Sequence, residues 1–415
     1  MKYFRRSTCR LCDSPKLERV LHLQPSPPAN AWCAKERLQE QQASYPLDIY
    51  KCAVCHHVQL VDVLDPLALF GDYVYVSGTS PIFVTHLQQL ARHLCERFHL
   101  GAEDFVLEIG SNDGTLLKEV QQLGPQVLGI DPAGKIAAQA VREGVPTWPR
   151  FFDAGLVPEI RSRFGPAAIV VANNVFAHID DLRGCAHSVR AALADDGVFV
   201  FEVSYLSDVI RDGLFDTIYH EHLSYHSLLA LRPFFASLEM ELFDAERVNT
   251  HGGSLRCFVQ KNGGSHHATG AVDKLIEQEL RDGLDSVARF DIFAREIANK
   301  KKALRERLLQ LKAMGKRIAG FGAPAKATTL MHHFSIGADI LDFIVDDSPW
   351  KQGLYSPGFH VPVLPAAAIA ERKPNYLLIL AWNFADSIIA KNKGFLDGGG
   401  RFIIPLPELR EVGCA

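Results

Sequence analysis

Twice in this chain an apolar run meets glycines and leaves as a helix, and that repeated grammar limits the folds open to it. The first instance is FVLEIGSNDGTLLKEV, Phe105 to Val120; the second is Arg317-Ile318-Ala319-Gly320-Phe321-Gly322, leading into a helix over Ala325 to Phe334. Around the first, VLGIDPAGKIAAQAV, AAIVVANNVFAHIDDL and DGVFVFEVSYL continue the alternation; around the second, LDFIVDDSP, YLLILAWN and RFIIPLP read as strands. Strands alternating with helices predict doubly wound, mainly parallel sheets. The chain therefore reads as two nucleotide-fold units in tandem. Between them lies a charged stretch near 270 to 314, where Leu275, Ile276, Leu280 and Leu284 recur at helical spacing.

The first seventy residues have a different grammar, irregular and rich in turn formers such as Gln24-Pro25-Ser26-Pro27-Pro28. They carry Cys9-Arg10-Leu11-Cys12 and Cys52-Ala53-Val54-Cys55. A CxxC turn lets two thiolates take adjacent corners of a tetrahedron, and a second turn completes it. The gap between the pairs is longer than in most zinc ribbons, yet two such units so close together point to a structural zinc on Cys9, Cys12, Cys52 and Cys55. Four cysteine ligands leave no open position, so this ion is expected to hold the fold and do no chemistry.

Composition narrows the function. A formal net charge of −4 over 415 residues offers no electrostatic case for a nucleic-acid partner. No apolar run reaches the length of a membrane helix, and MKYFRRSTCR has no apolar region behind its charges. Nine cysteines, an odd number, do not suggest a disulfide framework, and a cytoplasmic location with reduced thiols is expected.

Both glycine loops sit where a strand meets its helix, so both can bring a ligand close to backbone N–H groups. In the first, Glu108-Ile109-Gly110-Ser111-Asn112-Asp113-Gly114, the pattern is E-x-G-x-x-x-G. The next strand ends in Asp131, placed to accept hydrogen bonds from a ribose diol. That spacing alone suits NAD as well. The loop resembles motif I of the class I S-adenosylmethionine-dependent methyltransferases, and Asp131 matches their ribose-binding acid. Asn173 and Asn174, ending the fourth strand, match the positions that line the methionine end of the cofactor. Phe151 and Phe152 are candidates to flank the adenine. In the second loop, Gly322, Ala323 and Lys326 are candidates to cradle a diphosphate, with Asp346 ending the following strand.

A third feature is FDTIYHEHLSYHS, Phe215 to Ser227, where three histidines, two tyrosines, a glutamate and an aspartate fall together. His220-Glu221 begins like a zinc-protease helix, but the second histidine that motif needs at position 224 is Ser224. The density of proton carriers calls for another explanation.

Taken in order, the two CxxC turns, Tyr73-Val74-Tyr75-Val76-Ser77-Gly78-Thr79-Ser80, EIGSNDG, YHEHLSYHS, His251-Gly252-Gly253-Ser254-Leu255-Arg256 and GFGAPAKATTL resemble the sugar C-methyltransferase family over essentially the whole chain. The resemblance implies three parts: a zinc-binding domain over 1–70, a class I methyltransferase Rossmann-like domain over 71–265, and a second Rossmann-like α/β domain over 266–415. It implies C-methylation, at C-3, of a nucleotide-linked 4-keto-6-deoxy sugar, dTDP- or GDP-linked. O- or N-methylation of a nucleotide-linked sugar is the alternative, and it leaves the acid-base box without a purpose.

The family match also supplies roles. Making a carbon nucleophile requires removal of a proton beside the 4-keto group and stabilisation of the enolate oxygen. His222 is the implied base, with Glu221 orienting it or exchanging roles with it. Tyr219 and Tyr73, or Tyr75, are implied donors to the enolate or the sugar, and His178 is implied to hold the 4-keto oxygen. His251 and Arg256 are implied to close the pocket around the sugar or its phosphates; a strand-edge turn is the plainer alternative.

Overall fold

The computed structural model describes residues 3–71, 73, 76–250 and 252–413. Tyr75 and His251, both named above as candidates, lie outside the described residues. The chain folds into two compact units, each assembled from separated stretches. One comprises Met1–Glu18, Tyr50–Ser207 and Leu223–Asp285; the other comprises Arg19–Ile49, Asp208–His222 and Ser286–Ala415.

The first unit is built on a seven-stranded sheet. Its strands run in spatial order Met240–Val248, Ser254–Lys261, Leu193–Ser204, Ala167–Asn173, Phe105–Ile109, Gln126–Ile130 and Thr147–Trp148. Pairing is parallel from Leu193–Ser204 to Thr147–Trp148, and the two strands at the other edge run antiparallel to their neighbours. Phe105–Ile109 is buried at every position, as expected of a central parallel strand covered on both faces. One face packs Leu107, Val170, Phe176, Phe199, Phe201 and Phe235; the other packs Leu90, Leu94, Leu117 and Val120. The strand order reverses between Phe105–Ile109 and Ala167–Asn173. In open α/β sheets the crevice beyond the carboxyl ends of the strands at such a reversal is where ligands bind.

The second unit holds a six-stranded sheet in the order Val363–Leu364, Ile344–Val345, Ile318–Phe321, Tyr376–Ile379, Arg401–Ile404 and Arg410–Val412. All pairs are parallel except the last. Its reversal falls between Ile318–Phe321 and Tyr376–Ile379, the strands that lead into Gly322 and Trp382. A long helix, Val287–Ala313, buries Phe290, Phe293, Ile297, Leu304, Leu308 and Leu311 along one face. Segment Arg19–Ile49 belongs to this unit as well: Cys33 exchanges two backbone hydrogen bonds with Tyr355, at 3.0 and 2.9 Å.

Candidate active site

The four cysteines of the two CxxC turns converge. Their sulfurs all lie within 4.8 Å of one another, with Cys9 and Cys55 3.5 Å apart and Cys12 and Cys52 3.6 Å apart. A tetrahedral zinc with Zn–S bonds of about 2.3 Å separates its sulfurs by about 3.8 Å, so the cluster fits that ion. Each turn is already shaped by its own cysteine, since Leu11 N and Val54 N donate to Cys9 Sγ and Cys52 Sγ at 3.4 Å.

At the sheet reversal of the same unit, Glu108, Gly110, Ser111, Asn112 and Asn173 line a recess of about 260 Å³, together with Ser77 and Phe83. Gly110 is required there: its φ is +68°, and a Cβ would meet Val175 Cγ2 at 2.3 Å. The loop is anchored through Asp131, whose Oδ2 accepts from Asn112 N and whose Oδ1 accepts from Ala133 N, both at 2.8 Å. Burial raises the Asp131 carboxyl above its usual range, against those two donors. Ser77 N donates to Asn112 Oδ1 at 2.9 Å and Gly78 N to Asp113 Oδ2 at 2.8 Å, docking Ser77 and Gly78 onto the loop.

Inside the recess, Glu108 Oε2 and Ser111 Oγ are buried with no hydrogen-bond partner among the described residues. Burial first, then the charges of Asp113 and Asp131, push the Glu108 carboxyl well above the carboxylate range. Three acids around orphaned polar atoms suit a ligand that brings positive charge and hydrogen-bond donors. S-adenosylmethionine carries an ammonium, a sulfonium and a ribose diol, so the residues present fit it. Gly114 closes the loop with φ +76° and opens the following helix, and Asn174, at φ +55°, turns the chain out of its strand. Phe152 packs against the core of this unit, while Phe151 is exposed.

His178 follows Asn174 in the same unit, and Phe70 stacks on its ring at 5.5 Å. Tyr73 meets the same Phe70 edge-on at 5.7 Å, so the two candidate donors share one aromatic neighbour. Arg256 is committed elsewhere. It donates to Glu202 at 2.7 Å and Glu246 at 3.1 Å, with His86 on the other oxygen of Glu202 at 2.8 Å. That buried ion network ties adjacent strands of the sheet.

Of the acid-base box, Phe215–His222 lies in the second unit, a short 3-10 helix over Phe215–Thr217 followed by a turn, while Leu223–Ser227 belongs to the first and carries the strand Ser224–Tyr225. His222 Nδ1 lies 2.7 Å from Thr217 O. A carbonyl only accepts, so Nδ1 carries the proton, and in the neutral form of such an imidazole Nε2 is the basic nitrogen. Tyr219 lies against the same imidazole, ring centroids 4.0 Å apart. Glu221 is buried, and Asn30 Nδ2 donates to its Oε1 at 2.9 Å. His220 points back to Tyr45 O at 3.3 Å, and burial drives its imidazole down to about 4.

This box is fastened to the helix that follows the second glycine loop and to Trp382. Thr329 Oγ1 donates to Ile218 O at 2.7 Å, Trp382 Nε1 donates to Asp216 Oδ2 at 2.6 Å, and Phe215 stacks on Phe334 at 4.9 Å. Gly322 has φ +87°, and a Cβ there would meet Ala381 Cβ at 2.5 Å. Ala323 N donates to Asp346 Oδ2 at 2.6 Å, so Asp346 shapes the loop itself. Lys326 does not simply reach into solvent: its ammonium sits 3.8 Å over the Trp382 ring. Burial lowers the pKa of Lys326, and the charge of Asp216 partly restores it. Lys351 Nζ donates to Ala323 O at 2.7 Å and lies 5.5 Å from the Trp32 ring.

Sequence reasoning missed Asn30, Asp216, Trp382 and Lys351 as parts of this arrangement. Asn30 and Trp382 lie far from the box in the chain, and one donor in a proline-rich turn carries no local signal. Asp216 was visible, since it lies in the box itself.

Comparison with known proteins agrees with these observations. Residues 9–70 match a zinc binding domain model, 83–241 a methyltransferase domain model, and 249–407 a model described as the C-methyltransferase C-terminal domain. The chain is 35% identical over 406 residues to the C-methyltransferase NovU of Streptomyces niveus, covering 98% of this chain and 97% of that one. Among solved structures, a magnesium protoporphyrin IX methyltransferase from Synechocystis covers 46% of this chain and 90% of its own, with 14% identity and a TM-score of 0.35. The YcgJ protein of Bacillus subtilis covers 43% of this chain and all of its own, with 14% identity and a TM-score of 0.34. Fold and sequence together define a methyltransferase that carries a four-cysteine zinc site and a second α/β unit. The chain belongs to the C-methyltransferase family.

Proposed function

We propose that this protein transfers a methyl group from S-adenosylmethionine to a ring carbon, C-3, of a nucleotide-linked 4-keto-6-deoxy sugar. The observation that carries the reading lies within the second unit. The acid-base box is hydrogen-bonded to the helix that follows the second glycine loop, through Thr329–Ile218, and to Trp382, whose ring lies under the ammonium of Lys326 from that helix. A base built onto a nucleotide cradle is what an acceptor activated next to a ketone and carried on a nucleotide requires.

Bound S-adenosylmethionine supplies an electrophilic methyl group, and Glu108, Gly110, Ser111, Asn112, Gly114, Asp131, Asn173 and Asn174 are the residues that would hold it. In the second unit Gly322, Ala323 and Lys326 hold the diphosphate, with Asp346 fixing the loop. His222, its Nδ1 proton engaged by Thr217 O, takes the sugar proton at Nε2. Glu221, held by Asn30, stabilises the imidazolium that results. Tyr219 donates to the developing enolate, and the family resemblance gives Tyr73 and His178 their roles as donors to the sugar. A base contributes roughly 10²–10⁴-fold and an oxyanion donor roughly 10²–10³-fold, so neither suffices alone.

The test is transfer from S-adenosylmethionine labelled with carbon-13 at the methyl, offered with dTDP- and GDP-linked 4-keto-6-deoxy sugars. A carbon-bound methyl signal in the product supports the reading and identifies the carrier. An oxygen-bound methyl signal refutes it.

A further inference from the structure

Arg10 lies between the two cysteines of the first metal-binding turn, and its side chain is completely buried. A buried guanidinium is costly, and an apolar side chain of similar volume commonly serves stability as well or better. Arg10 is not even fully satisfied, since Nη2 is buried without a partner among the described residues. What its remaining donors grip suggests why it is there.

Arg10 Nε donates to Asp180 Oδ1 at 3.0 Å, and Nη1 donates to the carbonyls of Leu60 and, at 3.3 Å, Leu223. Asp180 is two residues past His178, and Leu223 follows His222 directly in the chain. These stretches also bond to each other, because Leu223 N donates to Ala177 O at 2.9 Å and Leu60 N donates to Leu223 O at 3.0 Å. The near end of Arg10 is fixed in turn: its backbone N donates to Gln59 Oε1 at 2.9 Å, beside the metal-binding thiols. Arg6 adds a second cation on Asp180 at 3.2 Å.

We propose that Arg10 is a positioning residue, through which the zinc turn clamps the chain just past His178 to Leu223 within the first unit. The inference rests on the functional reading above, which gives His178 its work. On this view the metal site acts in catalysis without touching a reactant. A clamp that loosens lets reacting groups drift, and displacements near 1 Å cost roughly 10²-fold in rate.

The test uses the full zinc-loaded chain carrying Arg10→Lys or, leaving the zinc turn untouched, Asp180→Asn. Readouts are zinc content, affinity for S-adenosylhomocysteine, hydrogen exchange over 174–183 and 219–227, and steady-state transfer to the acceptor found by the sugar panel. Both variants are expected to keep their zinc and their S-adenosylhomocysteine affinity. Both should exchange faster in the two peptides and lose roughly 10²-fold in kcat with little change in KM. Parental exchange and parental kcat in Asp180→Asn overturn the proposal, whatever Arg10→Lys does. If the parent itself transfers methyl to no sugar, the functional reading has failed, and unchanged exchange in Asp180→Asn still refutes the clamp on its own.

Discussion

The indole N–H of Trp382 donates to Asp216 at 2.6 Å, joining the loop after a central strand of the second sheet to the start of the acid-base box. The other carboxylate oxygen, Oδ1, is buried without a partner among the described residues. Lys326 lies over the same indole, so one ring carries a hydrogen bond at its edge and a cation on its face. Burial pushes the Asp216 carboxyl up while Lys326 and Trp382 pull it down. Trp382→Phe keeps the ring but removes the donor, and the loss is expected to lower stability by about 1–3 kcal/mol in denaturant titration. Lys326→Met should weaken dTDP binding at least tenfold by calorimetry and leave S-adenosylhomocysteine binding unchanged. Parental dTDP affinity in Lys326→Met would remove the diphosphate from this loop.

His222→Ala is expected to leave binding of S-adenosylhomocysteine and dTDP nearly unchanged and to cut turnover by ~10²–10⁴-fold. Equal losses in binding and turnover would instead mark His222 as structural.

Asn30 provides a separate handle on Glu221, the buried carboxylate it holds at 2.9 Å. Asn30→Ala should lower kcat by roughly tenfold, the lower end of what losing a charge-assisted hydrogen bond costs. Asn30→Asp should cost more, because it sets two carboxylates side by side. A faster Asn30→Asp enzyme would mean that Glu221 works protonated and gains from its neighbour.

Acid should destabilise the first unit in a predictable window. His226 is buried between His57 and Phe176, with ring centroids 5.6 Å from each. Burial drives its imidazole from 6.5 down to about 3, and His57 is lowered for the same reason with Arg10 and Arg6 adding to the effect. Both are neutral when folded and take up protons on unfolding, so the unfolded state binds more protons and stability is lost as the pH is lowered. For His226 the loss begins near pH 6.5 and continues towards pH 3, at up to about 1.4 kcal/mol per pH unit. His226→Phe, which keeps an aromatic ring against Phe176, should flatten the melting temperature over that range. The same acid dependence in parent and variant would assign it to other groups.

Replacing Cys12 by Ser should reduce zinc content and soluble yield together, because a structural zinc contributes folding free energy directly. Metal analysis of the purified chain is expected to give one zinc per molecule. A soluble, metal-free and fully active Cys12→Ser protein would refute a structural role.

Periodic, local signals made the architecture legible. The strand-to-glycine junctions at Gly110 and Gly322 fall at the reversals of the two sheets, and the helix read over Ala325 to Phe334 is present with those bounds. The CxxC turns converge because each is a self-contained loop and the chain has only to bring two together. Less legible was what long-range packing decides. Nothing in the sequence around Arg19–Ile49 indicates that it belongs with Ser286–Ala415, since its partners are single contacts such as Thr328 to Ala29 O. Arg256 was implied by resemblance to close the pocket around the sugar or its phosphates; its buried partners Glu202 and Glu246 become visible only when strands are paired. Arg10 was hidden by its own motif, where attention goes to the cysteines.

The interleaving of the two units has a consequence for how the chain is made. A nascent chain emerging from the ribosome usually folds one domain before the next appears. Here the second unit begins at Arg19 and is completed only by Ser286–Ala415, so its early segment must wait through most of synthesis. A chain stopped at Asp285 would contain the whole first unit and still carry two orphaned stretches, Arg19–Ile49 and Asp208–His222. No single cut in the chain separates the two units, because Arg19–Ile49 and Asp208–His222 would be left on the wrong side of it.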